Sequence, residues 1–162
     1  MRQARLIAWY LFIGSLLSIE SINVVSGFLQ QKSAHLVSII DVEPFFKTGP
    51  PPSPEVVAAL TKHILPSINV LSATVPQIKA LMDAAGIPVD YPKSVHDVSL
   101  MAASARKLGP EYVIIKREFL DAEDKSTTLH YVLSGPAESA VETLRCRNPK
   151  GVFGASYSAP RK

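Results

Sequence analysis

A single cysteine, Cys146, is the whole thiol supply of the sequence. One thiol cannot close an internal disulfide, which fits a reducing compartment, and it excludes a zinc site built on cysteines. Histidine does not make up the deficit. His35, His63, His96 and His130 fall in no zinc spacing, so each is expected at the surface or an edge rather than as a metal ligand. A basic stripe interleaved with aromatics is also lacking. The 17 basic and 14 acidic residues are scattered, with extra basic residues near both termini, and the net charge of +3 speaks to solubility. No nucleic-acid partner is expected. The run Leu6 to Ile13, behind Arg2 and Arg5, is too short for a spanning helix, which needs about 20 residues. It reads as a buried strand or helix start, or as the core of a signal peptide or anchor. No clean small-x-small cleavage site follows, since Ser15-Leu16-Leu17 matches poorly.

What is present is enough apolar material for one domain with a real core: 162 residues, 47% apolar and 19% charged. The organising stretch runs from Ile64 to Leu120. An apolar run, Ile68 to Leu71, is followed by a helical segment from Pro76 to Ala85 that Gly86 closes. A second helical segment runs from Ser94 to Leu108 and ends at Gly109, and the stretch finishes in the β-rich run Tyr112 to Lys116. Strand, helix, helix, strand with glycine at both helix exits is the pattern of a crossover between parallel strands.

Other elements hang on that unit. Ser18 is placed to cap a helix with Ile19, Ile22, Val25 and Leu29 on its buried face up to Gln31. Leu36 to Ile40 reads as a buried strand ending at Asp41. An acid there faces ligand in an open α/β sheet, or else serves a turn or a cap; spacing leaves both open. The proline-rich loop Thr48 to Pro54 leads into a helix capped by Ser53, with Pro54 at its first position, Glu55 at its positive end, and Val56, Val57, Leu60 and Ile64 inward. Thr74 caps the helix begun by Pro76, with Ile78, Leu81 and Met82 inward. Ser94 and Asp97 form a capping pair ahead of Val98, Met101, Ala105 and Leu108. Asp121 to Ser126 reads as a polar turn without a metal site, and Leu129 to Leu133 as a further strand. The tail Asn148 to Ser156 carries Gly151 and Gly154, a weak signal for a backbone-amide anion cradle.

Taken in order, Ile13 to Glu20, Val37 to Gly49, Leu65 to Pro76 and Leu108 to Lys116 resemble a hydroxymethylpyrimidine/phosphomethylpyrimidine kinase of thiamine biosynthesis. The resemblance to this ribokinase-like family runs in register from about Ile13 to Ala159. It implies an α/β fold, a three-layer α/β/α sandwich. The implied reaction is transfer of the γ-phosphate of ATP, with Mg, to hydroxymethylpyrimidine and then to its monophosphate. It also implies a small-molecule pyrimidine substrate and a cytoplasmic location. The sandwich is expected to be partial, because the family's amino-terminal strands and glycine-rich pyrimidine segment, and its closing helices, have no counterpart in the resemblance.

The departures bear on catalysis. Asp41 stands where the family has Asp-Pro-Val, but Val42 and Glu43 follow it. The family's Thr-Pro-Asn-x-x-Glu is similar to Ser72-Ala73-Thr74-Val75-Pro76-Gln77, so Gln77 is neutral where a metal-side carboxylate belongs. Its Lys-Gly-Gly-His turn corresponds to Lys116-Arg117-Glu118-Phe119, and its Asn-Thr-His-Gly-Thr-Gly-Cys loop to Asn148 through Gly154. Gly154 therefore occupies the place of the catalytic cysteine. The remnant nucleotide site implied by the resemblance is Asp41, Thr74, Gln77, Lys116 and Gly151, with no metal ligand set and no intact catalytic residue. Each lost transition-state donor costs about 100- to 1,000-fold in rate, so impaired transfer is expected. Two other roles stay open: a catalytically dead binding or association module, as a homodimer or a heterodimer with an intact paralogue through an open sheet edge, and an exported or tethered protein.

Overall fold

The computed structural model describes residues 9–13, 18–42, 52–120, 127–136 and 142–148. They build one six-stranded sheet, ordered as in the sequence: β1 (Trp9–Ile13), β2 (Leu36–Asp41), β3 (Val70–Thr74), β4 (Tyr112–Leu120), β5 (Thr127–Ser134) and β6 (Glu142–Asn148). Strands β1 to β4 pair in parallel, and β5 and β6 then add antiparallel. Connection length dictates the change. Parallel neighbours need a crossover, and α1 (Ile19–Gln30), α2 (Pro54–His63) and the pair α3 (Val75–Ala84) and α4 (Val95–Ala105) supply three of them. Only residues 121–126 join β4 to β5, too few to cross over, so the chain folds back.

Right-handed crossovers in an unbroken strand order place their helices on one face of the sheet. The side chains agree. Ser38 and Ile40 of β2, Leu71 and Ala73 of β3, Val113 and Ile115 of β4, and Val132 of β5 are all buried. The apolar members of that set form one cluster with Ile22, Leu60, Ile78, Leu81, Met82, Val98 and Met101 from the four helices. The alternate positions, among them Ile39, Val70, Ile114 and Leu133, are only half-buried. Among the described residues, the sheet and one helix layer thus form two layers of the expected sandwich, and the second sheet face is the more open one.

Caps start the helices where the sequence places them. Ser18, Ser53 and Ser94 accept from the backbone N–H of Ser21, Val56 and Asp97, and the Asp97 carboxylate accepts in return from the Ser94 N–H at 2.9 Å. Gly109 closes the second helical segment at φ +119°, where a Cβ would lie 2.4 Å from the Pro66 Cα. Only glycine lets this turn rest on the 3-10 turn Leu65–Ser67.

Several expectations need correction. The regular pairing of β3 begins at Val70 rather than Ile68; Asn69, just before it, bonds both neighbouring strands, its backbone donating to the Ser38 carbonyl at 3.0 Å and accepting from the Tyr112 N–H at 2.9 Å. Its Oδ1 accepts from the Ser38 N–H at 3.0 Å and from Lys32 Nζ at 2.8 Å, while Lys32 Nζ also donates to Ser38 Oγ at 2.6 Å. This polar knot ties α1, β2 and the entry to β3. β2 is buried only at alternate positions, since the helices cover one face. On α1, Ile19 is 43% exposed and Ser26 takes an inward place, donating to the His63 carbonyl at 3.1 Å. His130 is buried rather than peripheral, because it shares with Val132 the face of β5 that α4 packs against. The run Leu6 to Ile13 contributes β1, paired with β2 through Trp9↔Leu36 to Ile13↔Ile40. Most of the proline-rich loop, the turn Asp121 to Ser126, and Gly151 and Gly154 of the tail lie outside the described residues.

Candidate functional site

The carboxyl ends of parallel strands are where open α/β sheets bind ligands, and here they are the ends of β2 and β3 and the level of β4 beside them. Register places the relevant residues together. Asp41 pairs with Ser72, and Thr74 pairs with Lys116. Since side chains alternate across a strand, Asp41, Ser72, Thr74 and Lys116 share the face turned away from the helices. Tyr131, the register partner of Lys116 on β5, continues the row.

Asp41 and Lys116 sit two strands apart, a span of about 10 Å between backbones. The lysine stem crosses β3 to close it. Its Nζ donates to Asp41 Oδ2 at 2.9 Å and Oδ1 at 3.1 Å. The pair is partly withdrawn from water, with the Lys116 side chain 13% exposed and that of Asp41 30% exposed. A half-desolvated ion pair is held more firmly than a surface one, and within the pair the two charges offset each other.

Gln77 has a different job. It is 4% exposed, and its Oε1 accepts from the Thr74 backbone N–H at 2.8 Å, a capping contact that starts α3 directly after β3. On the other face of β4, Arg117 Nη1 donates to the Pro92 carbonyl at 2.7 Å and fixes the segment ahead of α4.

The sequence-indicated residues therefore divide. Asp41, Thr74 and Lys116 come together on one face, Gln77 supports Thr74 from beneath, and Gly151 and Gly154 lie outside the described residues. Ser72 and Tyr131 were not singled out from the sequence. Both follow from register, and the only available signal was the short link between β4 and β5 that forces a hairpin. Magnesium does not fit this set. Among the described residues no group of three or more histidine, cysteine, aspartate or glutamate side chains could hold a metal ion. Asp41 is already bound to a cation, and the Gln77 oxygen is spent on a cap. Among the described residues no helix is long and apolar enough to cross a membrane.

No family model and no curated protein sequence matches the chain. Solved structures do. Pyridoxal kinase of Bacillus subtilis, as its ADP complex, superposes with a TM-score of 0.61 at 20% identity, over 83% of this chain and 45% of its own. Phosphomethylpyrimidine kinase of Clostridium difficile gives 0.60 at 18% identity, over 84% of this chain and 52% of its own. The fold is that of the ribokinase-like kinases. A third such structure, pyridoxal kinase of Staphylococcus aureus with AMP-PCP and pyridoxal, gives 0.56 at 18% identity, over 76% of this chain and 43% of its own. The chain thus spans about half the length of the kinases whose ribokinase-like fold it shares.

Proposed function

We propose that the chain is a hydroxymethylpyrimidine/phosphomethylpyrimidine kinase-like protein of thiamine biosynthesis. On this reading the ligand-facing end of the sheet persists as a cytoplasmic binding module for a pyrimidine or nucleotide, and ATP-dependent phosphoryl transfer is impaired. Likeness in fold to two kinds of small-molecule kinase supports the first part, and complexes of those neighbours with ADP and AMP-PCP support nucleotide use. The observation that carries the second part is the Lys116–Asp41 contact at 2.9 Å. The one lysine kept from the family's nucleotide turn is neutralised by the one acid kept at a strand end. Phosphoryl transfer depends on cations aimed at developing negative charge, and a cation already paired with a carboxylate contributes far less.

The test is phosphorylation of hydroxymethylpyrimidine phosphate with labelled ATP, alongside an intact family kinase. The expected rate is lower by about 100-fold or more, the cost of at least one lost donor. A comparable rate overturns the reading. A second reading, association with a complete kinase chain, is favoured by the half-buried apolar residues Ile39, Val70, Ile114 and Leu133 on the open sheet face. Co-sedimentation with such a kinase checks it, and two independent boundaries reject it.

A further inference from the structure

The ion pair also bears on how this site manages charge, a question that rests on the binding role proposed above. Magnesium prefers six oxygen ligands at about 2.0–2.1 Å and is held through one or two carboxylates. At the strand ends, the Asp41 carboxylate has an ammonium on both oxygens, at 2.9 and 3.1 Å. A divalent ion brought to the same carboxylate would lie within a few ångströms of that ammonium, where like charges repel strongly at partial burial. Moving the lysine aside is no easy escape. Its side chain is 13% exposed and lies across β3, level with Thr74 and Tyr131, so withdrawal would uncover a half-buried carboxylate. The oxygen that the resemblance puts on the metal side, Gln77 Oε1, is uncharged and accepts the Thr74 N–H, so turning it to a metal would undo the start of α3.

We propose that Lys116 is the resident cation of Asp41, standing where a divalent ion would otherwise be held, so that this end of the sheet handles its ligand without magnesium. A built-in ammonium balances the aspartate at all divalent-ion concentrations. It also makes the site insensitive to chelators, unlike a pocket whose charge is set by bound metal.

Manganese(II) alone is the probe, followed by electron paramagnetic resonance on the full chain. The wild-type protein is expected to show no saturable binding up to about 1 mM, the weak end of protein sites for divalent ions. Lys116→Arg, which keeps the positive charge, should behave the same way. Lys116→Met keeps the apolar stem and removes the charge, and should tighten Mn(II) binding by about tenfold or more. Saturable binding to the wild type that Asp41→Asn removes overturns the proposal, as does equal affinity in the wild type and Lys116→Met. Turnover is not part of this readout. A chain that phosphorylated its substrate quickly yet bound no Mn(II) would refute the impaired-kinase reading alone, and a slow chain with an Asp41-dependent metal site would refute this inference alone.

Discussion

Removing the charges of Asp41 and Lys116 singly and together tests whether the crossing contact holds the strand ends. At 2.9 Å, Coulomb's law gives about 6 kcal/mol at an effective dielectric constant of about 20, and about 1.5 kcal/mol in bulk water. Exposures of 13% and 30% place the pair between those limits, and desolvation of both groups offsets part of the attraction. A coupling energy of about 2 kcal/mol is therefore expected, above the 0–1 kcal/mol range of exposed pairs. Lys116→Met takes the ammonium from a half-buried carboxylate and Asp41→Asn takes the carboxylate from a half-buried ammonium, so each should cost about 2–3 kcal/mol. The double variant should cost little more than either alone. Urea unfolding followed by circular dichroism reads all four proteins, with an unchanged slope confirming that only stability has moved. Raising salt to about 1 M should weaken the coupling only modestly, because screening acts mainly on exposed charges. Strictly additive losses, or a coupling below about 0.5 kcal/mol, would mean that the contact is incidental and that the two charges do not offset each other.

Two further outcomes concern the scaffold. Gly109→Ala combines a backbone at φ +119° with a Cβ 2.4 Å from the Pro66 Cα, and should cost about 3 kcal/mol or more in urea unfolding. Gly27→Ala, in α1 with nothing within 4 Å of the added carbon, should instead gain about 0.5–1 kcal/mol; similar effects at the two glycines would refute the packing account. The pH dependence of stability should show acid loss from helix starts. The Lys93 and Ser94 groups hold the Asp97 carboxyl below the usual range, the backbone N–H of Glu20 and the Ser18 hydroxyl do so for Glu20, and the Ser53 hydroxyl does so for Glu55. A carboxylate depressed in the folded state contributes above its unfolded pKa and loses that contribution as pH falls through its folded one. Stability should therefore drop on acidification through and below the usual carboxylate range, and Glu20→Gln, Glu55→Gln and Asp97→Asn together should flatten the slope. An unchanged slope in the triple variant would exclude these caps as its source.

Local chemistry was readable from the sequence; pairing was not. Ser18, Ser53 and Ser94 announce helix starts because a side-chain oxygen can satisfy a first-turn N–H whatever the tertiary structure. The crossover from β3 to β4 was equally visible, since parallel neighbours need a long connection and two helical segments supply one. Which face each strand buries depends instead on where the helices fall, and an apolar run such as Leu36 to Ile40 looks the same whether one face or both are covered. Asp41 and Lys116 were each marked by resemblance. That they touch, 75 residues apart in the chain, follows only from the registers that place Asp41 beside Ser72 and Thr74 beside Lys116.

Gln77 shows why residue identity alone misjudges such a site. By the resemblance it is a neutral substitute for a carboxylate, and by charge it is a loss. Toward the Thr74 N–H, an amide oxygen and a carboxylate oxygen are equivalent acceptors in kind, so the cap at 2.8 Å survives while the charge does not. The requirement that α3 begin directly after β3 is thereby separated from any requirement for negative charge at the crevice. Across β3 the Lys116 ammonium meets the Asp41 carboxylate at 2.9 Å, and at side-chain exposures of 13% and 30% the contact offsets part of the desolvation of both groups. The two features answer different demands. Gln77 serves the backbone start of α3, and the Lys116–Asp41 contact balances charge on the half-covered sheet face.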